Sequence, residues 1–140
     1  MKLYFLLLLS TLFIISAPAK DDAKPTVRIG IKKRAENCET KSRKGDLVHV
    51  HYRGTLQDGT EFDSSYGREK AFTVKLGAGQ VIKGWEQGLL GMCEGEKRRL
   101  VIPPELGYGK AGAGDKIPAD ATLIFEVEME KIERTKKNEF

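Results

Sequence analysis

Two stretches of alternating residues constrain the fold of this chain more than any other feature. In the stretch 47–54, Val48, Val50 and Tyr52 share one face of an extended chain, and in the stretch 122–130 apolar residues alternate mainly with acids. Successive side chains of a β-strand point to opposite faces, so each stretch predicts a strand with one buried face and one wet face. Such strands are typical of an antiparallel sheet covered on one side.

Further segments predict the remaining strands of this sheet. Asp58-Gly59 is a strong tight-turn signal that folds the chain back after the first strand. Pro103-Pro104 ends a later strand, because proline removes a ladder donor. Runs rich in β-branched and aromatic residues predict strands over 27–31, 60–65, 72–76 and 96–102.

The stretch 79–93 predicts the element that covers the sheet. β-Branched residues at 81–82 favour extended backbone, and Gly84 lets the chain turn sharply. Residues 85–90 can then form a short helix that Gly91 ends. The predicted fold class is therefore α+β, with a five- to six-stranded antiparallel twisted sheet half-wrapped around one short α-helix.

The first 19 residues have the pattern of a secretory signal peptide. Lys2 is followed by an apolar run over 3–15 and by the small-x-small residues 17–19. The run is shorter than the about 20 residues that a membrane span needs. We expect cleavage before Lys20 and no membrane association of the mature chain.

The rest of the chain fits one domain. The predicted organisation is a signal peptide over 1–19, a flexible segment over 20–26, one folded domain over 27–133 and a tail over 134–140. The formal net charge is +4, but the basic residues are scattered among acids, so nucleic-acid binding is not expected.

The two cysteines, Cys38 and Cys93, are the whole cysteine inventory. An even count in a chain with a signal peptide predicts a disulfide between them. His49 and His51 face the same way on a strand, which permits a metal pair, but no third ligand is in reach. We therefore interpret them as surface histidines and expect neither a metal nor another cofactor.

Aromatic residues recur at strands or strand ends, whereas the sequence lacks a supported catalytic triad and a phosphate-binding loop. Trp85 alone is most simply a core residue. The motifs around it change that interpretation. Residues 50–52, 58–65, 79–85 and 107–109 together resemble FKBP-type peptidyl-prolyl cis–trans isomerases, the immunophilins that bind macrolides such as rapamycin. The resemblance runs from about residue 45 to 133, and the signal peptide and cysteine pair make the chain similar to a small secretory-pathway member.

The resemblance implies a pocket for the proline ring with Trp85 as its floor. The implied catalytic residues are Tyr52, Phe62, Asp63, Tyr108 and Phe125. The implied substrate- and macrolide-binding residues are Arg68, Phe72, Gln80, Val81, Ile82, Trp85 and Ile117. Ala113 and Lys116 depart from the residues common at these positions, which affects the expected substrate preference and not the expected activity.

The implied partners are proline-containing unfolded or nascent secretory polypeptides, and the implied inhibitors are macrolides. We expect the chain to be a monomer. The alternative is a low-turnover module of the same fold that binds clients or serves as a scaffold. The last four residues, 137–140, resemble an endoplasmic reticulum retrieval tetrapeptide with two changes. We expect the endoplasmic reticulum lumen, with secretion as the alternative; the sequence does not identify clients or the preferred residue before proline.

Overall fold

The computed structural model describes residues 11–18 and 23–136 of the 140-residue chain. Residues 11–18 are exposed and form neither helix nor strand. The predicted cleavage site between residues 19 and 20 and the predicted retrieval tetrapeptide 137–140 lie outside the described residues. Within the described part, no helix is long and apolar enough to cross a membrane.

The described residues form a six-stranded antiparallel sheet and one α-helix, which confirms the predicted fold class. The sheet order is β1-β5-β6-β2-β3, and β4 also pairs with β2. The strands are β1 (Arg28–Lys33), β2 (Leu47–Leu56), β3 (Glu61–Ser64), β4 (Phe72–Lys75), β5 (Lys97–Ile102) and β6 (Leu123–Glu133), and the helix is α1 (Lys83–Gly88). Short 3-10 turns occupy Tyr66–Arg68, Pro104–Leu106 and Gly109–Ala111.

The two alternating stretches become the central strands β2 and β6, which pair along their whole length. Val48 and Val50 are fully buried, and Tyr52 is nearly so, as the alternation predicts. Tyr52 lies opposite Val127 of β6, so the apolar residues of both strands share one face. This face forms the main core, together with Leu100, Ile102, Leu123, Phe125 and Met129.

Strands β3 and β4 occupy the same edge of β2. β3 pairs with the end of β2 near Arg53, and β4 pairs with its beginning near Leu47. Between them the chain leaves the sheet and makes the 3-10 turn Tyr66–Arg68. This interruption brings the guanidinium of Arg68 back to β3, where it meets Asp63.

Helix α1 approaches β5 closely through two glycines. An added Cβ at Gly84 would lie 2.6 Å from the Ile102 Cδ1 atom, and one at Gly88 would lie 2.7 Å from Leu100 Cδ1. Gly84 therefore permits close packing inside the helix, and its predicted role as a sharp turn before the helix is wrong. The helix also begins and ends two residues earlier than the predicted range 85–90.

The outer strand β1 differs from its prediction as a half-buried strand. All six residues are exposed, including Ile29 and Ile31, because β1 lies at the sheet edge beyond the strand that α1 covers.

A disulfide joins Cys38 to Cys93, which confirms the predicted pair. The two Cα atoms are 5.3 Å apart. The bond ties the segment before β2 to the turn that follows α1, so the helix is anchored to the N-terminal part of the domain.

Candidate active site

A cavity of about 750 Å³ opens between the amino end of α1, one end of the sheet and the loop after β5. Its walls are mainly aromatic and aliphatic, with few polar groups, as is usual for small-molecule sites. The lining residues are Tyr52, Phe62, Asp63, Phe72, Gln80, Val81, Ile82, Trp85, Tyr108, Ala113, Gly114, Asp115, Lys116, Ile117 and Phe125.

Trp85 forms the floor of this cavity, at the first turn of α1. Its ring meets those of Tyr52, Phe125 and Phe72 at centroid distances of 5.0, 5.2 and 6.0 Å, each time edge to face. This is the favoured geometry of aromatic pairs, so the four rings fix one another's orientation. The indole Nε1 atom is buried and has no hydrogen-bond partner among the described residues.

The wall beside the floor depends on Gly54, which sequence reasoning missed. Phe62 and Phe125 pack edge to face with centroids 5.4 Å apart. A Cβ at Gly54 would lie 2.6 Å from Phe62 Cζ and 2.8 Å from Phe125 Cε1. Gly54 shares the pocket-facing side of β2 with Tyr52, because the two are two residues apart on a strand. The alternation of side chains along β2 could therefore have indicated the face on which Gly54 lies.

Among the charged residues that line the cavity, Asp63 is held by three hydrogen bonds. Its Oδ2 accepts from the Tyr52 hydroxyl at 2.5 Å, and its Oδ1 accepts from Arg68 Nη1 at 3.1 Å and from the Ser64 N–H at 2.9 Å. Arg68 Nη2 also donates to the Tyr52 hydroxyl at 3.0 Å. The three side chains thus form a closed network at the edge of the cavity.

This network shifts two pKa values in opposite directions. Desolvation raises the pKa of Asp63, but the hydrogen bonds from Tyr52 and Arg68 outweigh it, so the pKa lies below its ordinary value. Burial, together with the hydrogen bond to the Asp63 carboxylate, raises the pKa of Tyr52. At neutral pH, Asp63 is therefore an ionised acceptor, and Tyr52 keeps its proton.

The mouth of the cavity carries two hydrogen-bond donors, the Ile82 N–H and the Tyr108 hydroxyl. The Ile82 N–H lies at the start of α1 and donates no hydrogen bond to another described residue. Tyr108 is 42% exposed, and its ring lines the cavity. Gln80 is held in place because its Oε1 accepts from the Lys75 N–H at 3.0 Å.

The structure brings eleven of the twelve predicted catalytic and binding residues to the cavity wall. The exception is Arg68, which reaches the site through Asp63. Asp115, which sequence reasoning missed, also lines the cavity, and it lies in the glycine-rich stretch 105–119. His49 and His51 lie on the opposite face of the sheet from this cavity, where they are half-buried and near Glu133 and Glu130.

The fold and the site together define a class of protein. A sheet half-wrapped around one short helix encloses a pocket of rings that suits a proline side chain, and the Asp63 carboxylate at its edge is held by three donors. These are the features of a peptidyl-prolyl isomerase.

Comparison with known proteins gives the particular family. The profile described as "FKBP-type peptidyl-prolyl cis-trans isomerase" matches residues 38–130. The chain belongs to the FKBP-type peptidyl-prolyl cis–trans isomerase family, and it is a peptidyl-prolyl isomerase.

Individual relatives cover most of the chain. It is 62% identical over 120 residues to "Peptidyl-prolyl cis-trans isomerase FKBP2" of Mus musculus, covering 86% of each chain. It is 65% identical over 113 residues to the protein of the same name in Homo sapiens, covering 81% of this chain and 80% of that one. The crystal structure of AtFKBP13 superposes with a TM-score of 0.68 at 40% identity, covering 75% of this chain and 91% of the other.

Proposed function

We propose that the aromatic cavity is the site at which this chain accelerates X-Pro isomerisation in folding secretory proteins. Rotation about an X-Pro bond crosses a barrier of about 18–20 kcal/mol, because twisting destroys amide resonance. The planar amide is strongly dipolar, whereas the twisted amide is less so. A dry aromatic pocket therefore favours the twisted form, which is differential binding of the transition state.

We assign roles to the lining residues from their positions. Trp85 receives the proline ring, and Tyr52, Phe62, Phe72 and Phe125 exclude water from the rotating amide. The Ile82 N–H and the Tyr108 hydroxyl donate to carbonyls of the bound peptide. Val81, Gln80 and Ile117 complete the wall around the ligand.

Asp63 supports this assignment more than any other residue. A carboxylate has about four lone-pair positions, and three donors already occupy it here. One position is left to accept a hydrogen bond from a ligand, and the lowered pKa makes Asp63 a weak base. Its geometry fits an acceptor that orients the ligand, with Arg68 and Tyr52 keeping it in place.

The test is an isomerisation assay on a proline-containing peptide, with and without rapamycin. We expect catalysis by the wild type, inhibition by stoichiometric rapamycin and no effect of a metal chelator. Trp85→Leu should weaken both catalysis and rapamycin binding, because it removes the floor. Full activity and full rapamycin affinity of Trp85→Leu would show that the site lies elsewhere.

The partners that we propose are proline-containing unfolded or nascent chains and rapamycin-type macrolides, and we propose that the chain acts as a monomer. The folded domain that we propose covers 27–133. Any expressed fragment should also keep Arg134, because its guanidinium donates to Asp46 at 2.7 and 2.8 Å. Sedimentation at several concentrations tests the oligomeric state, and a mass that rises with concentration would contradict the monomer.

We also propose that the chain enters the secretory pathway by its signal peptide and is retained in the endoplasmic reticulum by residues 137–140. Appending a few residues after Phe140 should then raise secretion from cells, because retrieval signals are read at a free carboxyl terminus. Unchanged secretion would mean that the tail does not act as a retrieval signal.

A further inference from the structure

The turn after α1 is held by one buried arginine that the mechanism does not use. Arg98 of β5 is only 8% exposed. Its Nη1 donates to the carbonyl oxygens of Gly88 at 3.1 Å and Leu90 at 2.8 Å, and its Nη2 donates to that of Gly91 at 2.9 Å. These carbonyls belong to the end of the helix and the turn that follows it, where helical partners are missing.

Glu96 balances the charge of this arginine. It is 6% exposed, and its Oε2 accepts from Arg98 Nε. Its Oε1 accepts from the N–H of Cys93 at 3.3 Å, next to the disulfide. A guanidinium has five donors in a fixed planar fork, so it can bind the carboxylate and three carbonyls at once. A lysine ammonium has three donors at one point and cannot span the same set.

The same helix carries the proposed pocket floor at its other end. α1 has six residues, so Trp85 lies less than one turn, and the Ile82 N–H about 1.7 turns, from the Gly88 carbonyl that Arg98 holds. A helix this short has little stability of its own and takes its position from tertiary contacts. On β5, those contacts are made by Leu100 and Ile102, which pack against the two glycines of α1, and by the guanidinium of Arg98, which donates to the carbonyl groups at the helix end.

We propose that Arg98 is a positioning residue for the isomerase reaction. It fixes the carboxyl end of α1, with Glu96 as its counter-charge, and thereby holds Trp85 and the Ile82 N–H where the twisted amide binds. The inference rests on the proposed function of the cavity, since it concerns the residues that position its floor.

The chain offers a matched control for this role. Asp46 and Arg134 form a second carboxylate–guanidinium pair, with Asp46 1% exposed. Arg134 also donates to the Lys41 carbonyl at 3.0 Å. Neither residue bonds to α1 or lines the cavity. Removing this pair should therefore destabilise the domain without moving the floor.

The experiment compares Glu96→Gln/Arg98→Met with Asp46→Asn/Arg134→Met. Each double variant removes both charges of one pair, so neither leaves a buried charge alone. Urea unfolding gives the free energy of unfolding of each variant, and kcat/KM is then measured under conditions in which both variants are fully folded. Trp85 is the single tryptophan, so its fluorescence reports the pocket floor directly.

We expect Glu96→Gln/Arg98→Met to lower kcat/KM roughly tenfold, because ångström-scale displacement of binding groups has costs of at least this order. Its Trp85 emission should also change. Asp46→Asn/Arg134→Met should keep kcat/KM within about twofold of wild type, with unchanged emission. Equal activity and equal emission of the two folded variants would overturn the proposal, whatever their stability.

A single variant keeps the test decisive if the Glu96→Gln/Arg98→Met protein does not fold. Arg98→Lys keeps the charge beside Glu96 but loses the fork, so it should fold, lower kcat/KM and change the Trp85 emission. A fully active Arg98→Lys with wild-type emission would contradict the positioning role. The Trp85→Leu variant separates the two hypotheses: normal activity there refutes the site itself, whereas impaired activity there with normal Arg98 variants refutes only this inference.

Discussion

Replacing Gly54 with alanine tests the geometry of the aromatic wall with a single methyl group. The new Cβ would lie 2.6 Å from Phe62 Cζ and 2.8 Å from Phe125 Cε1, whereas ordinary contact begins at 3.4 Å. The Phe62 ring must therefore retreat by about 0.8 Å and the Phe125 ring by about 0.6 Å, the differences between these distances and 3.4 Å. Gly54 does not have a positive φ, so alanine meets no backbone strain there, and the effect comes from the rings alone.

The expected magnitudes follow from this displacement. Overpacking of this kind costs about 1–3 kcal/mol, and glycine-to-alanine replacement within a strand returns about 0.5–1 kcal/mol. We expect a net loss on the order of 1 kcal/mol, which lowers Tm by about 4–8 °C in a domain of this size class. Catalysis should fall further, since a 1 Å misplacement can cost roughly 100-fold in rate.

The assay is kcat/KM on a proline peptide together with rapamycin affinity and thermal unfolding. Gly30→Ala on β1 is the control, because its Cβ would meet its nearest atoms at 3.9 and 4.0 Å, which is ordinary contact. The control should be as active as wild type and no less stable. Gly54→Ala with wild-type activity, affinity and Tm would refute the claim that these rings are fixed and required.

Three further outcomes are expected. The catalysed rate should be nearly flat between about pH 6 and 8, because Asp63 has a lowered pKa and stays ionised throughout; a flank in that range would show a titrating catalytic group. The hydrogen bond from Arg134 lowers the pKa of Asp46 in the folded state. The ionised Asp46 carboxylate therefore stabilises the fold at pH values above its unfolded-state pKa near 3.9, and this stabilisation is lost as pH falls through its pKa in the folded state. The difference in unfolding free energy between wild type and Asp46→Asn should therefore shrink below about pH 4, and a difference independent of pH would contradict this. Cys38→Ser/Cys93→Ser should lose about 4 kcal/mol, since the bond closes a 55-residue loop; equal urea midpoints with and without the bond would argue against it.

The sequence predicted the central sheet because its strands have local, period-two signals. Val48, Val50 and Tyr52 alternate with polar residues, and the glycine of the turn signal Asp58-Gly59 has a positive φ of 89°. The pocket residues were predicted differently, by motifs that resemble a known family. Their convergence on one cavity depends on sheet pairings between distant segments, which periodicity does not specify.

The features that were missed depend on contacts across the fold. Gly54 and Gly84 matter because an added methyl group would collide with side chains, and these side chains lie on other elements of the fold. Arg98 shares the core-facing side of β5 with Leu100 and Ile102, although the sequence analysis did not single it out. The sequence does not indicate which groups Arg98 binds, because the carbonyl groups that accept its hydrogen bonds belong to the backbone, which every residue has.

Comparison of Phe62→Ala with Asp63→Leu tests the central claim most directly, that catalysis comes from a dry aromatic pocket and not from proton transfer. Tyr108→Phe gives the reference, a loss on the order of tenfold for one hydrogen-bond donor, or about 1.4 kcal/mol. We predict that Phe62→Ala lowers kcat/KM most, because water enters and solvates the planar amide, and that Asp63→Leu falls between the two. An intact rate in Phe62→Ala with no catalysis in Asp63→Leu would contradict the account, since Asp63 would then act as a chemical base.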